Sequence, residues 1–157
     1  GAKVFNDLIS QHAKTLTEGF NIINLTGDAR LNQLDKHIYR VDYITELYQP
    51  LMDFADVVVT RGGSNTLFEL IAMKKLHLIV PLGRQASRGD QIENALYAEK
   101  KGYSRQISEE QFTVDTLLSE VEALLENKDF YIQNMEQSTE IQSVDSFYRL
   151  LMEDIGR

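Results

Sequence analysis

Thr66 and Glu69 lie directly downstream of Arg61-Gly62-Gly63-Ser64-Asn65. They are the side chains in this sequence best placed to meet a phosphate and a sugar together. Residues three apart on a helix share a face. Gly62 and Gly63 let the backbone turn tightly and approach a ligand with no Cβ in the way. A helix that starts after such a loop points its free N–H groups back at the loop, and this attracts phosphate. Thr66-x-x-Glu69 is equally a capping-box pattern, in which Glu69 would only satisfy backbone donors. Spacing by itself leans towards the cap. The helix start decides the matter: if it falls at Ser64 or Asn65, Glu69 is past the cap and stands above the loop, beside a ribose hydroxyl.

A second polar group follows. Asp90 and Asn94 are four apart, and Gln91 and Asn94 three apart, so all three can face the loop that precedes them. Such groups suit sugar hydroxyls. They also fit a plain helix start with Asp90 as the N-cap and solvated amides, and spacing leaves both readings open. Arg61 ends an apolar strand, where an arginine can offset diphosphate charge. Arg84 and Arg88 flank a polar loop and read as a lid or as solvated cations. His12, His37 and His77 do not cluster, so they read as structural histidines with no metal site. No nucleophile–base pair with readable spacing is present, and no catalytic base is identified.

The elements that must position these groups alternate between strand and helix. A helix is expected over 3–18 (stripe Val4, Phe5, Leu8, Ile9, Leu16), then strands 20–25 and 37–44, a helix at about 46–55 with Pro50 in its first turn, and a strand over 56–60. Val57 to Val59 read as a parallel strand covered on both faces. A helix over 65–74, a strand over 76–82, a helix over 91–101 with Ile92, Ala95 and Leu96 inward, and a strand over 103–107 follow. Helices at 109–126, 128–137 and 142–155 close the chain. The polar stretch 28–36 has no clear assignment. The alternation implies an α/β fold: one domain over 1–157 with a Rossmann-like parallel sheet and helices on both faces.

The chain has 157 residues, 43% hydrophobic and 25% charged, an ordinary globular composition for one domain. Its net charge of −8 excludes a basic nucleic-acid footprint and argues against this segment gripping an anionic membrane. With no cysteine, disulfides and thiolate metal sites are excluded, which fits the cytoplasm. No apolar run approaches the roughly 20 residues of a membrane span.

The run Arg61-Gly62-Gly63-Ser64-Asn65-Thr66-x-x-Glu69, then Pro81-Leu82-Gly83, then Ser87-Arg88-Gly89-Asp90-Gln91-x-x-Asn94-Ala95 resembles the MurG family, within glycosyltransferase family 28. Members are UDP-N-acetylglucosamine transferases that make lipid II in peptidoglycan and cell-wall synthesis, and so act in cell shape and the cell cycle. The resemblance extends more weakly over 1–150 and covers the carboxyl-terminal, donor-binding half of a two-domain GT-B enzyme. It implies that Gly1-Ala2 ends a glycine loop whose preceding strand is missing. By resemblance, Glu69 holds the ribose hydroxyls. Thr66 and the backbone of Gly63, Ser64 and Asn65 meet the diphosphate or lie beside it, with Gly62 in the same loop. Arg61 supports the loop or the phosphates, Asp90 and Gln91 meet the N-acetylglucosamine hydroxyls, and the backbone of Ile44 reads the uracil.

Two positions depart from the family's pattern. Gly62 stands where some members carry serine or alanine, and Asp90 where others carry glutamine. The implied substrate is UDP-N-acetylglucosamine, with no cofactor, no metal and no nucleic acid. The lipid-linked acceptor, the catalytic base and the surface peripheral to the cytoplasmic face of the bacterial membrane are expected on an amino-terminal domain. The other readings are the donor-binding subunit of a split eukaryotic N-acetylglucosamine transferase, a diacylglycerol glycosyltransferase, or a UDP-N-acetylglucosamine 2-epimerase.

Overall fold

The computed structural model describes residues 3–83 and 89–138. Its elements, in chain order, are α1 (Lys3–Thr17), β1 (Ile22–Leu25), a 3-10 turn (Ala29–Leu31), β2 (Gln33–Leu34), β3 (Ile38–Val41), α2 (Tyr48–Phe54) and β4 (Val57–Thr60). Then come α3 (Ser64–Ala72), β5 (Leu76–Ile79), α4 (Asp90–Lys100), β6 (Arg105–Gln106), α5 (Val114–Glu126) and α6 (Lys128–Glu136). The lid expected at Arg84 and Arg88, the helix expected over 142–155 and the loop end at Gly1-Ala2 lie outside the described residues.

The strands form two ladders, ordered β1-β3-β2 and β4-β5-β6. β1 and β3 are parallel, with Ile22 opposite Ile38 and Leu25 opposite Val41. β4, β5 and β6 are parallel throughout. The parallel α/β layout with helices on both faces is therefore as the alternation implied. One short strand departs from it: β2, within the stretch that had no assignment, runs antiparallel to β3. Asp28 caps the 3-10 turn through Arg30 N–H, and the turn brings the chain back onto the sheet edge.

β5 is the buried centre, with Leu78 and Ile79 at 0% exposure. Val57 to Thr60 of β4 are half-buried along their whole length, not covered on both faces as the valine run suggested. Among the described residues β4 pairs on one side only, with β5, which leaves its other edge more open. The apolar core gathers Leu67 and Ile71 of α3, the β5 residues, Ala95 and Ala98 of α4, Leu124 of α5, and Tyr131 and Met135 of α6. Leu96, expected inward, is 51% exposed. The face of α4 against the sheet carries the small residues Ala95 and Ala98, which allow close approach of helix to strand. Phe54 of α2 is also exposed.

The layer around β1 and β3 is held differently. Arg40 of β3 is buried among neutral acceptors. Its Nε donates to Asn24 Oδ1 at 2.9 Å, Nη1 to Ser10 Oγ at 2.9 Å and Nη2 to the Asn6 carbonyl at 3.1 Å. Asn6 in turn donates to the Thr26 carbonyl at 2.9 Å. Burial lowers the pKa of the Arg40 guanidinium. This network fixes α1 on the first ladder. The Phe5–Phe112 ring contact at 5.2 Å ties α1 to the segment before α5. That segment is not the first half of a longer helix, as 109–126 suggested. It is a turn that ends at Thr113, which caps α5 in a capping box with Thr116.

Candidate nucleotide-sugar site

The glycine loop connects β4 to α3. Gly62 has φ +86, and a Cβ there would lie 2.7 Å from Ile79 Cγ2. The loop turns sharply against the buried end of β5, and glycine meets that demand at least strain. Gly63 is different: its φ is −61, and a Cβ there would meet nothing within 4 Å. It is the N-cap of α3 and forms an open floor.

α3 starts at Ser64, with no side-chain cap bond. Thr66-x-x-Glu69 is therefore not a capping box. Glu69 stands on the sixth residue of the helix, exposed, on the same face as Thr66. Leu67 N–H is the first to bond back, to the Gly63 carbonyl at 3.0 Å. The N–H groups of Ser64, Asn65 and Thr66 precede it and face the loop, where the helix dipole favours an anion.

Arg61 turns away from this face. Its Nη1 donates to the Val80 carbonyl at 3.1 Å and pairs with Glu109 at 3.4 Å. Its guanidinium lies 4.5 Å over the Phe5 ring. Burial lowers its pKa, and Glu109 opposes the shift.

α4 forms the facing wall. Its N-cap is Gly89, with φ +86 and no side-chain cap bond, so Asp90 is not the cap but the first helical residue, exposed. Gln91 Oε1 accepts from Leu82 N–H at 2.9 Å, which fixes the amide with its NH2 as the remaining polar group. Asn94 Nδ2 donates to the Gly62 carbonyl at 3.0 Å and lies 3.4 Å from Ser64 Oγ. Asn94 thus ties α4 to the glycine loop and holds two walls at a fixed spacing. The structure brings Gly62, Gly63, Ser64, Asn94 and Gln91 together, with Asp90 next to them at the α4 start.

Ile44 lies in the segment between β3 and α2. Among the described residues, neither its N–H nor its C=O takes part in a backbone hydrogen bond. Tyr48, at the start of α2, was not singled out from the sequence. Burial, and after it the Glu69 charge, push its phenol above the ordinary pKa, while the Thr66 side chain opposes them. The available signal was its place four residues after Ile44, at a helix start.

A separate cavity of about 440 Å³ lies between the far end of α4, β6, α5 and α6, lined by Lys101, Arg105, Glu120 and Tyr131 among others. At 1.5 Å per residue it is roughly 15 Å along α4 from Asp90, away from the glycine loop. Among the described residues no group of three metal-ligating side chains occurs, and no helix is long and apolar enough to cross a membrane.

The structure is of the class of parallel α/β domains in which a glycine loop and a helix start lie at the carboxyl ends of the strands, where such sheets bind ligands. The sequence model of the glycosyltransferase family 28 C-terminal domain matches residues 1–150, and the chain belongs to this family. It is 78% identical over 157 residues to the UDP-N-acetylglucosamine--N-acetylmuramyl-(pentapeptide) pyrophosphoryl-undecaprenol N-acetylglucosamine transferase of Streptococcus suis (strain 05ZYH33), covering 100% of this chain and 44% of that protein. The enzyme of the same name from Streptococcus uberis is 63% identical over 156 residues, covering 99% and 43%. The chain thus spans less than half the length of these relatives. Among solved structures, Acinetobacter baumannii MurG superposes with a TM-score of 0.65 at 20% identity, over 86% of this chain and 41% of that one. The glycosyltransferase VinC in complex with dTDP gives 0.60 at 17%, over 94% and 37%. At these identities the likeness concerns the fold, which is that of GT-B glycosyltransferases.

Proposed function

We propose that this chain binds UDP-N-acetylglucosamine as the donor half of an inverting transferase that glycosylates a lipid-linked muramoyl-pentapeptide acceptor. The reading rests on the α3 and α4 starts, joined at the glycine loop by Asn94, and on the names of the Streptococcus relatives. The Ile44 backbone takes the uracil, Glu69 the ribose diol, and the first N–H groups of α3 with Gly63 the diphosphate. Asp90 and the Gln91 amide take the sugar. An acceptor hydroxyl attacks the anomeric carbon, the bond to UDP breaks with inversion, and charge grows on the diphosphate. The α3 start stabilises that charge through preorganised donors. The acceptor's proton goes to a base outside this chain, which also carries the acceptor site at the cytoplasmic membrane face. The 157-residue chain then binds donor without turnover.

Calorimetry with UDP-N-acetylglucosamine tests this, with UDP-glucose, GDP-mannose and Glu69→Ala as comparisons. Uridine-dependent binding that is lost in the variant is the expected result. A folded chain that binds GDP-mannose equally well, or no nucleotide sugar, would reject the proposal.

A further inference from the structure

Ser64 opens α3 with an exposed side chain, and its hydroxyl meets a group from α4. Asn94 Nδ2 donates to the Gly62 carbonyl at 3.0 Å and lies 3.4 Å from Ser64 Oγ. A carbonyl only accepts, so the Gly62 bond fixes which end of the amide faces the loop. The amide nitrogen carries two protons. One goes to Gly62, and the other faces Ser64 Oγ. The serine oxygen is thus an acceptor towards Asn94, and its own proton is left to point elsewhere. Among the described residues that hydroxyl has no second partner. An added Cβ on the neighbouring Gly63 would meet nothing within 4 Å, so the space beside the hydroxyl is open.

The place of Ser64 along α3 selects the part of a nucleotide sugar it would meet. Ser64 stands about 7.5 Å along the helix axis from Glu69, with Thr66 between them. From a ribose at Glu69, a nucleotide sugar runs through its first phosphate and its second phosphate to the sugar. Asn94 is three residues on from Gln91, the sugar-side amide, on the same face of α4. Ser64 therefore stands where the diphosphate side and the sugar side meet.

We propose that the Ser64 hydroxyl, aimed by Asn94, donates to the second phosphate, the one that is bonded to the sugar in the donor and departs with UDP. The proposal rests on the donor-binding reading above. When the bond between the anomeric carbon and the phosphate oxygen breaks, its electron pair stays on that oxygen, and the second phosphate gains negative charge. A hydroxyl already oriented there binds more strongly as that charge grows, without giving up its proton. Asn94 is the positioning residue of the pair. UDP bears the charge of the departed group, so the effect is readable as binding.

The test measures dissociation constants of UDP and UMP for the 157-residue chain, with thermal melts to confirm folding. The wild type is expected to prefer UDP. Ser64→Ala should weaken UDP about tenfold, as for a hydrogen bond to a charged group, and leave UMP within about twofold of wild type. Its melting temperature should hold, because Asn94 keeps its bond to Gly62. Ser64→Thr retains the hydroxyl and should bind UDP within about threefold of wild type. A Ser64→Ala chain that keeps the full preference for UDP, or that loses UDP and UMP by the same factor, overturns the role of Ser64 and leaves the donor reading intact. Equal losses in the alanine and threonine variants overturn it as well. A folded wild type that binds neither nucleotide overturns the donor reading and this inference with it.

Discussion

The side-chain amide of Asn94 donates to the carbonyl of Gly62, closing a 3.0 Å bond between residues that are 32 positions apart. It is a direct link from α4 to the turn that leads into α3. Asn94→Ala should cost about 1 kcal/mol, the usual net value of one hydrogen bond. It should also weaken UDP binding beyond any change in stability, because both walls lose their spacing. Urea unfolding read alongside calorimetry checks this. Unaltered affinity in a measurably destabilised variant would show the link to be structural only.

Adjacent glycines should behave oppositely. Gly62→Ala puts a Cβ into the left-handed region and against the buried Ile79 side chain, at about 1–3 kcal/mol. Gly63→Ala has ordinary backbone angles and open space, so stability should change by no more than about 0.5 kcal/mol. Its Cβ nevertheless stands where a diphosphate must approach, and UDP affinity should fall. Thermal melts and UDP titrations of the two variants separate fold from site.

His77 supplies a pH dependence. It is fully buried, its Nδ1–H donating to the Lys75 carbonyl at 2.7 Å while Nε2 accepts from Ser104. Burial holds its pKa below the ordinary 6.5, with the Lys75 bond opposing. Above 6.5 both folded and unfolded chains are neutral at this ring. Below it the unfolded chain takes a proton that the folded one refuses, so stability drops as pH falls from 6.5 towards the folded value. The slope reaches at most about 1.4 kcal/mol per pH unit. Urea unfolding at several pH values should show this slope, and His77→Gln should flatten it.

Arg61 should prove a stabilising residue first. Arg61→Ala removes a donor to Val80, the partner of Glu109 and the cation over Phe5. A loss of about 2 kcal/mol is expected. Arg61→Lys should recover only part of it, since a lysine lacks the planar fork that serves three partners together. An alanine variant as stable as wild type would contradict this placement.

Much of this arrangement was legible in the residues themselves. Alternating apolar runs and helical stripes sufficed for the α/β layout, and two glycines after a valine run marked the turn into α3. The start of α3 could not be read from Thr66-x-x-Glu69, because a capping box and a ligand face share that spacing. Only the backbone at Gly63 separates them. Asp90 looked like a cap because aspartate is a favoured one, yet Gly89 with its positive φ occupies that place. Leu96 looked inward because leucine is apolar, but close helix–sheet packing selects Ala95 and Ala98 instead. Arg40 acts through partners distant in sequence, and no local spacing reveals such contacts.

The two ladders differ in what would let go of them. The apolar core draws on β5, α3, α4, α5 and α6, whereas the β1–β3 layer meets α1 through the Arg40, Asn24 and Asn6 network. Hydrogen bonds among polar groups can be exchanged for water with little loss, but buried apolar surface cannot. The first ladder should therefore open as a separate unit at lower free energy than the second, giving native-state amide exchange in two tiers. The α3 start and β5 would fall in the slow tier, and the segment carrying Ile44 would sit at the boundary. A ligand joining Ile44 to Glu69 would then bridge regions that breathe independently, and its arrival would slow exchange in β1 and β3, strands it never touches.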